Sequence, residues 1–66
     1  MTSQEYKARL RAYGLTPKRP SYDGATIYQG RDGELYTIAD PDHLTPDERE
    51  ALLEIYAFQY GLSEAH

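Results

Sequence analysis

At 66 residues the chain is long enough for one small domain, and a fold of that size buries only about 60% of the surface its unfolded chain exposes. A core with a sizeable catalytic pocket beside it is therefore not expected. The absence of cysteine excludes disulfide scaffolds, thiolate metal sites and thiol nucleophiles, and 11 acids against 7 Lys and Arg leave a formal net charge of −4.

The start, Met1 to Glu5, is polar and lacks the apolar run of a signal peptide. No apolar cluster approaches the length needed to span a bilayer, and cytoplasm is the expected compartment. Residues 3–13 predict a helix. Thr2 and Glu5 fit a capping box, Tyr6, Leu10 and Tyr13 make one narrow apolar stripe, and Gly14 followed by Leu15 reads as a helix stop. Lys7, Arg9 and Arg11 lie off that stripe. Residues 16–24 hold Pro17, Pro20 and an Asp23-Gly24 turn signal, and predict an irregular connector.

Residues 25–39 predict a β-hairpin, with two β-prone runs flanking Gly30-Arg31-Asp32-Gly33. Both faces of these strands carry apolar groups, so one face is expected to be only partly covered. Residues 40–44 read as a turn. Thr45-Pro46-Asp47-Glu48 is the clearest local signal: an N-cap threonine, proline at the first helical position, and a capping-box glutamate. The second helix is expected from Pro46 to Tyr60. Leu52, Ile55, Tyr56 and Gln59 trace one stripe and Leu53, Ala57 and Tyr60 the next, together the widest apolar face of the chain. Gly61-Leu62 repeats the stop pattern, and residues 63–66 read as a frayed tail.

The expected fold is one α+β domain over residues 1–66, ordered helix, hairpin, helix. Both helices are expected to pack on one face of a two-stranded antiparallel sheet. Aliphatic residues are few, with seven Leu, three Ile and no Val, so seven Tyr and one Phe must supply much of the core. A tyrosine buries its ring and keeps its hydroxyl wet, which also suits an interface.

Catalytic and metal chemistry find little footing. Asp40, Asp42 and His43 sit close in sequence, but His66 is the only other imidazole, and these are too few ligands for zinc or a hard cation. Ser3, Ser21 and Ser63 fall in caps, loops or the tail, with no nucleophile-elbow pattern. Gly30 to Gly33 lacks the spacing of a phosphate-binding loop. No cofactor is expected, and the chain reads as non-enzymatic.

Charge is unevenly spread. Residues 1–19 hold Lys7, Arg9, Arg11, Lys18 and Arg19 against Glu5, a local +4; the remainder sums to −8. The leading expectation is a small acidic protein that modulates or inhibits a larger protein with a basic surface. Asp40, Asp42, Asp47, Glu48, Glu50 and Glu54 would form the electrostatic contact, and exposed tyrosines among Tyr28, Tyr36 and Tyr60 the anchors. A surface that normally receives nucleic acid would read those carboxylates as phosphates. In bulk properties the chain resembles small inhibitors carried by phages and mobile elements, such as anti-CRISPR proteins, although no motif carries that likeness. The rival expectation is a DNA- or RNA-binding regulator using Lys7, Arg9, Arg11, Lys18 and Arg19, with Tyr6, Tyr13 and Tyr22 interleaved for stacking. A second copy of the chain is a further candidate partner, because a homodimer would extend the small core and hide a sheet edge.

Overall fold

A computed structural model of the chain describes residues 1–21 and 24–64. Its elements run α1 (Ser3–Ala12), β1 (Thr16–Pro20), β2 (Ala25–Gln29), β3 (Leu35–Ala39), a 3-10 turn (Pro41–His43) and α2 (Pro46–Gln59). The expectations placed on Tyr22, Asp23, Ala65 and His66 lie outside the described residues.

Both helices begin and end on their local signals. The Thr2 and Thr45 hydroxyls accept from the backbone N–H groups of Glu5 and Glu48, and each glutamate accepts in return from its threonine's N–H. Gly14 follows α1 with φ +83°, and the Leu15 N–H reaches back to the Leu10 carbonyl at 3.0 Å. Gly61 and Leu62 close α2 the same way, the Leu62 N–H bonding the Ala57 carbonyl at 2.9 Å. The β2–β3 connection is a tight turn in which the Gly33 N–H bonds the Gly30 carbonyl and Gly33 takes φ +84°.

The sheet has three antiparallel strands in the order β1-β2-β3, where two were expected. The correction concerns residues 16–20, read from sequence as an irregular connector. The ladder parity explains how a strand with two prolines pairs. Ser21 donates to the Ala25 carbonyl, so Arg19, opposite Ile27, shares its hydrogen-bonding direction, while Pro17 and Pro20 face the other way. Neither ring nitrogen stands where a donor to β2 is needed, and a register shift between Pro17 and Arg19 makes a bulge at Lys18.

One sheet face carries Thr26, Tyr28, Tyr36 and Ile38 and meets both helices. Tyr28, Ile38 and Leu15 form the core with Tyr6 and Leu10 of α1 and Leu53 of α2. The opposite face carries Ala25, Ile27, Gln29, Leu35, Thr37 and Ala39 and has no layer over it among the described residues; Leu35 is 53% exposed there. Helix and sheet are tied at one backbone position. The Tyr6 hydroxyl donates to the Ala39 carbonyl at 2.7 Å, and the Ala39 N–H donates to the Tyr56 hydroxyl at 3.1 Å. Arg49 braces the other end, its Nε donating to the Pro41 carbonyl and its Nη1 to the Met1 carbonyl.

Candidate functional site

The outer face of α2 is built from a helix whose apolar residues exceed what the small body can cover. Leu53 is buried, and Arg49, Tyr56 and Tyr60 are half-buried around it. At 100° per residue, Ala51, Ile55 and Phe58 lie on the opposite side. Ile55 is 52% and Phe58 92% exposed. Asp47, Glu50 and Glu54 follow one flank of this stripe and are exposed. Glu48 lies on the other flank, with one carboxylate oxygen held by the Thr45 N–H at 2.8 Å. Arg49 does not neutralise these groups, because its guanidinium is committed to the Pro41 and Met1 carbonyls. Among the described residues the only salt bridge is Arg9–Glu64 at 2.8 Å, both partners half-exposed.

The acidic set expected to act together is split. Asp40 and Asp42 stand away from the α2 face, in a groove of about 380 Å³ between α1 and the sheet, with Lys7 and Arg11 on its other wall. The Thr26 hydroxyl donates to Asp40 at 2.6 Å and the Ser3 hydroxyl to Asp42 at 3.1 Å. Tyr28 lines the same groove. Burial pushes its phenol above the ordinary value, Asp40 adds to this, and Arg11 partly offsets it. Two cations facing two carboxylates leave this groove close to neutral.

The basic set does not converge either. Lys7 and Arg11 share the groove, Arg9 turns away to Glu64, and Lys18 and Arg19 stand exposed on β1. His43 packs over Gly24, where a Cβ would come within 2.9 Å of its ring. Among the described residues no group of three or more His, Asp or Glu side chains is placed to hold a metal ion.

The tyrosines expected as anchors are packed. Tyr28 is buried, and Tyr36 and Tyr60 are half-buried with ring centroids 4.8 Å apart. Tyr56 stacks on Tyr60 at 5.7 Å, and the Tyr36 hydroxyl donates to Asp32. Burial, then the Asp32 hydrogen bond, raises the Tyr36 phenol. Among the described residues the exposed aromatic is Phe58, which the sequence reading counts with the tyrosines as core volume; it lies five positions from Leu53, on the far side of the helix, where the small body has no layer to cover it.

No family model matches this chain, and comparison with curated proteins and with solved structures found no match. No helix among the described residues is long and apolar enough to cross a membrane.

Proposed function

We propose that the chain is a non-enzymatic binding protein that modulates a larger protein by docking the outer face of α2 onto it. The observation that carries this reading is Phe58, 92% exposed beside carboxylates that have no internal counter-ion among the described residues. An exposed phenylalanine with Ile55 next to it supplies the desolvated centre that binding energy needs. Asp47, Glu50 and Glu54 supply a charged rim that speeds and orients approach to a basic surface. The partner is thus a protein with an apolar pocket edged by Lys and Arg, of the kind that also receives nucleic-acid phosphates. Inhibition by occupying such a surface is the simplest mode of action. The nucleic-acid reading has weaker support, because Lys7 and Arg11 share their groove with Asp40 and Asp42.

Affinity capture from the host with three forms of the chain tests this. Wild type retains a partner. Phe58→Ala loses it while the circular dichroism spectrum is unchanged, and Glu50→Lys/Glu54→Lys loses it independently. Asp47 and Glu48 are left in place because they stabilise the helix start. Retention by both variants overturns the reading.

A further inference from the structure

We propose that β3 is a self-pairing edge through which two copies of the chain join antiparallel, Leu35 of one opposite Thr37 of the other. The inference rests on the sheet and is independent of the α2 face.

The two edges of the sheet differ. On β1 the outward-facing positions are Pro17 and Pro20, which have no N–H to offer, and between them lie a bulge and the charges of Lys18 and Arg19. On β3 the Gly30 N–H bonds the Glu34 carbonyl and the Asp40 N–H bonds the Gly24 carbonyl, so even-numbered residues turn toward β2. Leu35, Thr37 and Ala39 turn outward. Ala39 is already satisfied by the Tyr6 and Tyr56 hydroxyls. Among the described residues the N–H and C=O groups of Leu35 and Thr37 have no partner.

That pattern selects both the occupant and the register. In an antiparallel pair, two residues facing each other exchange both of their hydrogen bonds. Placing a two-fold axis at Tyr36 sets Leu35 against Thr37 twice, and every open group of both copies is used. An axis at Thr37 would set Leu35 against Ala39, whose groups the tyrosines hold. A second copy therefore matches the open groups one for one. A chain of net charge −4 repels its twin, which opposes the pairing, and the uncharged run Leu35–Ala39 keeps that cost low at the contact itself. On the uncovered face the exposed Leu35 gains a cross-strand neighbour, and on the inner face the two Tyr36 rings come side by side. The contact is short, so the dimer is weak and concentration-dependent.

Sedimentation equilibrium of the full chain, from about 10 μM to about 1 mM, reads the association directly. Hydrogen exchange at low and high concentration locates it. The expected result is reversible dimerisation with slower exchange at the Leu35 and Thr37 amides as concentration rises. Thr37→Pro places a ring nitrogen at an outward-facing edge position, as β1 already does twice, so the fold survives. Its loss of two hydrogen bonds per dimer weakens association about tenfold. Leu35→Lys, a solvent-face change, weakens it as well and carries the test should the proline variant unfold. Glu50→Lys/Glu54→Lys leaves it intact, which separates this edge from the α2 face. A monomer at the highest concentration overturns the proposal and leaves the edge to an extended segment of a different protein. A dimer whose Leu35 and Thr37 amides exchange at the monomer rate overturns it too.

Discussion

Gly14 concentrates two demands at one residue. Its φ of +83° lies in the left-handed region, and a Cβ there would run into the Arg31 side chain. Arg31 in turn donates to the Ala12 carbonyl at 3.1 Å, placing a cation at the end of α1. Gly14→Ala is expected to cost about 1–2 kcal/mol for the backbone alone, and more once the displaced Arg31 side chain releases the Ala12 carbonyl, measured by urea unfolding. The stop signal was legible in Gly14-Leu15. The Arg31 hydrogen bond was not, because it joins residues 19 apart in the chain that only the folded hairpin brings together. Tyr6 makes a different demand. Burial is the main cause holding its phenol far above the ordinary value, with Tyr56, Tyr28 and Asp40 adding to it. A phenol kept neutral in the fold but free to ionise when unfolded stabilises fully below about pH 10, and that contribution falls as pH rises further. Stability should therefore decline above about pH 10 by up to about 1.4 kcal/mol per pH unit for such a group. Tyr6→Phe should flatten the decline while lowering stability at pH 7 by about 1 kcal/mol through removal of the Ala39 bond. Unfolding curves across that pH range measure both.

Among the elements, the helices were the most legible, since caps and stops are local chemistry and both capping boxes formed where the spacing placed them. Thr45→Ala should remove about 1 kcal/mol of stability, read by thermal unfolding, and the effect should shrink when Glu48 is already changed to Ala, because the two residues act as one cap. Strand β1 was illegible for a physical reason. Proline is a strand breaker only where its nitrogen must donate, and sequence alone does not say which way residues 17 and 20 face. The outer side of α2 was half legible. The periodicity showed more apolar surface than one stripe, but which stripe the core takes depends on the room left beside Tyr6, Leu10 and Ile38, and that room goes to Leu53 and the tyrosines. Ile55 and Phe58 are what remained outside.

For the whole molecule, charge and shape are arranged together. The carboxylates of Asp47, Glu50 and Glu54 flank an apolar stripe, while Asp40 and Asp42 are balanced across their groove by Lys7 and Arg11. Binding through α2 should therefore slow in its association step as salt rises from about 0.05 to about 0.5 M, since the screening length falls well below 10 Å. The dissociation rate should respond to Phe58→Ala instead, and surface-binding kinetics separate the two. The prolines of β1 have a consequence of their own. A sheet with two receptive borders can add molecules without limit and end as a fibre. Here the outward-facing positions of one border, Pro17 and Pro20, offer no N–H, so copies joined through the other border form a pair whose two rims are both poor in donors, which disfavours further addition.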